Sequence, residues 1–335
     1  MAEVLRPMLG LVPVACFLGV LVALDSYKLV SLKRVVAVLV AGAAMAGVSY
    51  AVNGLLLANV DIGFDAYTRY VAPLIEELLK AAIVVLLIRT HRVGFLVDAA
   101  IVGFAAGTGF AMVENLLYLR IAPDATMGAW LVRGFGTAIM HGGTSAIFGV
   151  MGLAMVERGA LRGIAAFVPG FLAAAALHSA FNHFFFSPLI STVGIAILLP
   201  LILQLVFSRS ETAMGRWLGK GFDADTEMLE LIGSGRLSDS PVGRYLHQLK
   251  QKFQGPVVAD LICYLRLHTE LALRAKGILM MRENGFDVPV DEATREKFAE
   301  MRYLEKSIGP TGRKALQPML HMSHKDLWQL YMLGK

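Results

Sequence analysis

Charge is scarce in this chain. Only 17% of its 335 residues are charged, against about a quarter in soluble domains, which excludes an ordinary soluble protein along its whole length. The shortage is uneven: residues 1–207 are nearly bare of charge, whereas 208–335 carry more than half of the basic and of the acidic residues. That contrast predicts a membrane domain, 1–207, followed by a soluble domain, 208–335. Cysteine is scarcer still. Cys16 lies in an apolar run and Cys263 in the polar half, a placement that supports neither a disulfide framework nor a thiolate metal site. No dense basic run occurs, so the net charge of +5 fits juxtamembrane lysine and arginine and no nucleic-acid partner. Also absent are His-Glu-x-x-His, a phosphate loop, a dinucleotide fingerprint and a recognisable Ser-His-Asp set.

What is present is apolar sequence in long runs. Residues 8–25, 35–57, 68–88, 95–118, 129–156, 164–187 and 189–207 are each long enough to cross about 30 Å of hydrocarbon. Only helices satisfy every backbone group at such lengths. The expected fold is therefore all-α: a polytopic transmembrane bundle of about seven spans, then a mainly helical soluble C-terminal domain. The first run resembles a signal peptide, but no small-x-small site precedes Asp25 and more spans follow, so an uncleaved first helix is expected. Pro-Val-Ala-Cys16 is a weak lipoprotein signal because apolar sequence continues past the cysteine. Ser187-Pro188 leaves almost no loop between the last two spans, which implies a tight hairpin.

Lysine and arginine set the orientation. Lys28, Lys33 and Arg34, then Arg89 and Arg92, then Arg158 and Arg162, then Arg209, Arg216 and Lys220 fall on one side, which is read as cytoplasmic. The N-terminus is then outside, with Arg6 a mild conflict, and residues 208–335 inside. Gly103-x-x-x-Gly107, Gly134-x-Gly136, Gly142-Gly143 and Gly149-x-x-Gly152 read as packing devices that let helices approach closely.

Ionisable groups inside spans are expensive and therefore informative, at about 2.5–3.5 kcal/mol each on insertion scales. Span three holds Glu76, Glu77 and Lys80; either glutamate reaches the lysine at i,i+4 or i,i+3, but adjacent residues point about 100° apart. One carboxylate can pair with Lys80 while the other faces a cavity. Span four carries Glu114 on a stripe with Phe110 and Tyr118, span five His141 with Thr144 and Ser145 within a turn, and span six His178 with Asn182 one turn beyond. A rise of ~1.5 Å per residue puts Glu77, Glu114, His141 and His178 between about 6 and 18 Å below the outer face. Four antiparallel spans thus converge on one depth, as a shared water-filled site requires. Asp25, Asp98 and Arg133 sit near span ends, where snorkelling to the interface is the ordinary reading. His183 faces away from Asn182's side and reads as a spare polar contact.

Two chemistries suit this cluster. Glu76, Glu114, His141 and His178 can hold a divalent metal such as zinc, whose bound water becomes nucleophilic. Alternatively a buried glutamate acts with a histidine as general base on a water. Asn182, Thr144 or Ser145 could donate to a developing oxyanion. Both routes are hydrolytic. The rival class is a transporter or scaffold using the same groups as an ion or proton site, although comparing spans one to three with five to seven shows no internal repeat.

Glu76-Glu77-Leu-Leu-Lys80, Gly109-Phe110-Ala-Met-Val-Glu114-Asn115, His141 and His178-Ser-Ala-Phe-Asn182 resemble, in order, the motifs of the PrsW family of intramembrane proteases. That family is similar to the wider CAAX-protease and bacteriocin-processing membrane superfamily. The resemblance covers about residues 60–190. It implies a protease of the bacterial inner membrane that cuts a membrane-anchored protein substrate, as in site-1 processing of an anti-sigma factor. Carried over by position, Glu76 acts on the attacking water while Glu77 pairs with Lys80 and orients the site. The superfamily places an arginine one residue beyond Lys80 and a histidine at the position of Glu114; the extra carboxylate favours a metal, and the family is commonly called a metalloprotease.

Residues 208–335 read as helices over Leu261–Met281, Asp291–Ser307 and Ser323–Leu333, with Ser323 as N-cap and breaks at Gly233-Ser-Gly235 and Gly309–Gly312. His247, His268, His321 and His324 do not recur at ligand spacing apart from His321-x-x-His324, which lacks acidic or thiol partners and reads as surface histidines. Cytoplasmic placement suggests a regulator acting through 208–335.

Overall fold

The computed structural model describes residues 2–159, 161–286, 288–320 and 323–334; His321 lies outside them. Every regular element among the described residues is helical. The chain divides into two compact units, one through Ser210 and one from Glu211.

In the first unit, α1 (Ala2–Ala23) and α2 (Leu32–Asn59) are followed by α3 (Ala72–Arg89), α4 (Leu96–Ile121), α5 (Ala138–Arg158) and α6 (Val168–His183). Then comes α7 (Pro188–Gly233), within which the unit boundary falls. Among the described residues, six helices are long and apolar enough to cross a membrane. The helix missing from that set is α3. Its 18 residues include Glu76, Glu77, Lys80 and Arg89, so the charges that make it interesting also disqualify it as a plain apolar span.

α4 is the axis of the bundle. Its most apolar stretch is 83% buried, against 17% for that of α7, and Val97 through Ala111 are buried without a break. α4 packs against α1, α2, α3 and α5, while α3 also touches α2, α5 and α6. Close approach depends on absent side chains. A Cβ on Gly107 would come within 2.7 Å of the Gly142 Cα, and one on Gly103 within 2.9 Å of the Ala146 Cα, so α4 and α5 meet backbone to backbone.

Two charged residues expected to snorkel do not. Asp98 is fully buried and accepts hydrogen bonds from the Gly94 and Phe95 N–H groups at 2.8 and 2.7 Å, closing the start of α4. Asp25 is buried and accepts from Val30 N–H at 3.1 Å. A carboxylate here satisfies turn amides that would otherwise be stranded in an apolar setting.

Short π-helical turns, Tyr67–Val71 and Val132–Thr137, precede α3 and α5. The first is held from α6: Asn182 Nδ2 donates to the Thr68 carbonyl at 3.0 Å and Ser179 Oγ to the Arg69 carbonyl at 2.6 Å. Inserted residues of this kind re-aim the helix that follows and are frequent near functional sites.

The second unit holds α8 (Pro241–Leu249), α9 (Gly255–Glu283), α10 (Glu292–Leu316) and α11 (His324–Leu333). Its core is built on Leu261, Leu265, Leu271, Ala275 and Ile278 of α9, met by Phe298, Leu304, Ile308 and Leu333. Asp291 and Ser323 cap α10 and α11, and Gly309, at φ +63°, kinks α10 where a break was expected. His268 is buried on the core face of α9.

Candidate functional site

α3 turns its two glutamates in different directions. Glu77 is 2% exposed and its Oε1 accepts three hydrogen bonds: from Lys80 Nζ at 2.6 Å, His178 Nδ1 at 2.8 Å and Thr144 Oγ1 at 3.1 Å. Three helices are therefore pinned by one oxygen. Glu76 is 16% exposed and lies 3.8 Å from His178 Nε2. It is the one carboxylate of the three that no lysine or arginine holds in an ion pair among the described residues.

The proton positions follow from donor and acceptor rules. A carboxylate only accepts, so Nδ1 of His178 carries the hydrogen shared with Glu77, and Nε2 faces Glu76 Oε2. An ammonium only donates, and Lys80 Nζ lies 3.1 Å from His141 Nδ1. The His141 ring proton then sits on Nε2, which lies 2.7 Å from Glu114 Oε2. Oε2 is buried there. The two imidazoles stand edge to face, 4.8 Å between ring centroids. Phe110 closes one wall, 5.3 Å from the His141 ring, with Lys80 Nζ 5.1 Å from its centroid.

The sequence-derived set is brought together except at its edges. Glu76, Glu77, His141, His178 and Glu114 form one connected cluster. Asn182 lies on the same helix as His178, but its amide nitrogen donates to Thr68, holding the π-helical turn. Thr144 is engaged with Glu77, and Ser145 Oγ is buried. His183 bonds the Ser179 carbonyl and packs against Tyr70 and Phe185. Arg133, expected to snorkel, is a correction: it is 15% exposed and pairs with Glu114 Oε1 at 2.9 Å and Asn115 Oδ1 at 2.8 Å. Its position eight residues before His141 was the available signal, since two helical turns return a side chain toward the same face.

Could the residues hold a metal? One carboxylate oxygen of Glu76 and one ring nitrogen each of His141 and His178 lie within 4.8 Å of one another. Two imidazoles and a carboxylate are an ordinary ligand set for a catalytic divalent cation with an open position. Glu77 on the far nitrogen of His178 is the usual outer support of a ligating histidine. A proton must leave the Lys80–His141 pair before His141 Nε2 is free to ligate, and Glu114 Oε2 stands beside that nitrogen. The donor set fits. Glu114 itself is turned to Arg133 and lies outside the group of three.

No curated protein and no solved structure matches the chain. A family model does, over residues 31–207, more than half of the chain and all of the helices that carry the cluster. Membership disfavours the transporter alternative. The chain belongs to the PrsW family of intramembrane metalloproteases.

Proposed function

We propose that this intramembrane protease hydrolyses a membrane-anchored protein in the bacterial inner membrane, in the manner of site-1 processing of an anti-sigma factor. The observation that carries the reading is the contrast among its three carboxylates. Glu77 is locked by Lys80, His178 and Thr144, and Glu114 by Arg133, whereas Glu76 faces His178 Nε2 across 3.8 Å.

A water donating one O–H to Glu76 and the other to His178 Nε2 is held with its oxygen lone pairs free. Glu76 takes the proton as that oxygen bonds to the scissile carbonyl carbon. The proton then passes from Glu76 to the amide nitrogen as the C–N bond breaks, leaving a carboxylic acid, which keeps the water's other hydrogen, and an amine. A divalent cation such as zinc on Glu76, His141 and His178 would acidify the water and polarise the carbonyl. Glu77 fixes the His178 tautomer, and Lys80 holds Glu77 and His141 in register.

Topology is part of the proposal. Arg34 Nη1 donates to the Arg92 carbonyl at 2.9 Å, which supports placing the first two basic loops on the same, cytoplasmic side. Residues 208–335 then lie inside, where a regulator would reach them.

Purified protein in lipid nanodiscs, given a labelled single-span substrate, tests the reading. Glu76→Gln should lower cleavage about 10³-fold, and a chelator should abolish it reversibly. Undiminished cleavage by Glu76→Gln refutes the assignment; cleavage indifferent to chelator refutes the metal.

A further inference from the structure

Arg133 belongs to no motif that identifies the family chemistry, yet it sits at the edge of the cluster. The π-helical turn Val132–Thr137 carries it. Its Nε donates to Asn115 Oδ1 at 2.8 Å and its Nη2 to Glu114 Oε1 at 2.9 Å. The guanidinium carbon lies 4.1 Å from the centroid of the Tyr118 ring. Asn115 is itself held, donating Nδ2 to the Gly10 carbonyl at 2.7 Å. Two directed hydrogen bonds and a stacked ring fix the guanidinium plane.

That leaves donors over. A guanidinium has five N–H groups, and among the described residues Nη1 has no hydrogen-bond partner. Arg133, Glu76 and Glu114 are all partly exposed, at 15%, 16% and 35%, whereas Glu77, His141 and His178 are sealed. Exposure within the cluster is therefore confined to Arg133 and these two carboxylates. The other candidate donors are engaged or enclosed: Thr144 with Glu77, Asn182 with Thr68, Ser145 buried.

A membrane-anchored substrate creates a matching need. A helical peptide must unwind before a water can reach its scissile carbonyl, and unwinding frees carbonyl oxygens from their partners four residues on. In an apolar setting each freed carbonyl requires a donor, and a charged donor is the strongest available. We propose that Arg133 is a substrate-binding residue whose Nη1 donates to a backbone carbonyl beside the scissile bond, while Nε and Nη2 hold Asn115 and Glu114 as the rim of the opening. This rests on the protease reading of the same site.

Binding and turnover separate the two. In a Glu76→Gln background, which binds without cutting, Arg133→Lys and Arg133→Gln should each weaken affinity for a fluorescent single-span peptide about tenfold or more. In the active background, Arg133→Lys should raise KM by a similar factor and change kcat much less, because an interaction with a non-reacting carbonyl is made equally in ground and transition states. An amide-to-ester scan of the peptide bonds flanking the cleavage position, which weakens one carbonyl acceptor at a time, should find one position that reduces affinity for the parent. That effect should vanish in Arg133→Gln. Unchanged affinity in both variants overturns the proposal. So does a fall in kcat at constant affinity, the signature of a residue that only steadies Glu114. A flat ester scan in the parent overturns it even where every Arg133 variant fails to fold. Full activity of Glu76→Gln would instead sink the hydrolytic reading, and the affinity measurements would still decide Arg133.

Discussion

Among the described residues, each unit of the molecule buries one lysine against one carboxylate, and the two pairs share distance and burial but differ in their surroundings. Lys80–Glu77 and Lys276–Asp225 are both 2.6 Å long, and no member of either is more than 9% exposed. Lys276 lies 5.1 Å from the Trp217 ring centroid, and among the described residues no imidazole, hydroxyl or second carboxylate joins its pair with Asp225. Lys80–Glu77 is instead the hub of a network reaching Thr144, His178 and His141. Burial of charge is therefore not what marks the site. A closed pair joins helices; a pair that aligns further groups toward an opening prepares chemistry.

The largest effect should come from opening the first pair. Glu77→Gln strands a buried ammonium and leaves His178 Nδ1 with a weaker acceptor, so cleavage in nanodiscs should fall about 10²–10⁴-fold. Hydrophobic replacement of both partners, Glu77→Leu with Lys80→Met, should leave a folded protein that does not cut. Restored cleavage would erase the distinction between the pairs. Lys276→Met alone should destabilise the chain by about 3–5 kcal/mol through the stranded Asp225, read as a lowered denaturation midpoint. Cleavage per folded molecule should stay within about twofold, since this pair belongs to the other compact unit. Adding Asp225→Leu should recover most of that stability.

The smallest effect concerns an exposed network in the second unit. Burial raises the Glu270 carboxyl, but hydrogen bonds from Lys297 at 2.7 Å and Arg266 at 2.9 Å outweigh it and hold the pKa below the ordinary 4.5. A lowered folded value contributes stability that is complete above the ordinary carboxylate range and lost as pH falls through the folded value. Glu270→Gln should therefore flatten the acid limb of the stability curve by less than about 1 kcal/mol. A steeper acid limb in the variant would contradict this.

Much of this arrangement was legible in the chain. The common depth of Glu77, Glu114, His141 and His178 follows from a fixed helical rise, and the bundle follows from run length. The limits were physical. The apolar span was expected to end near residue 207, and the helix that carries it runs on to Gly233, because Ser208 onward turns polar without breaking the backbone. Nothing before Gly233-Ser-Gly235 stops it. Arg133 read as an interface residue because its neighbours Glu114 and Asn115 lie on another helix. The Lys80–His141 contact joins residues 61 apart, a pairing set by how α3 and α5 cross and not by local pattern.

Whether residues from separate helices act as one hydrolytic unit is decided most directly by a double-mutant cycle between Glu76 and His178. Cleavage rates would be measured for Glu76→Gln, His178→Ala and the double variant, each confirmed folded in nanodiscs. Members of one catalytic unit are strongly non-additive, so the double variant should be about as slow as the slower single variant. Losses that multiply, or a single variant that cuts at the parental rate, would show that the two side chains share a place in the membrane but not a reaction.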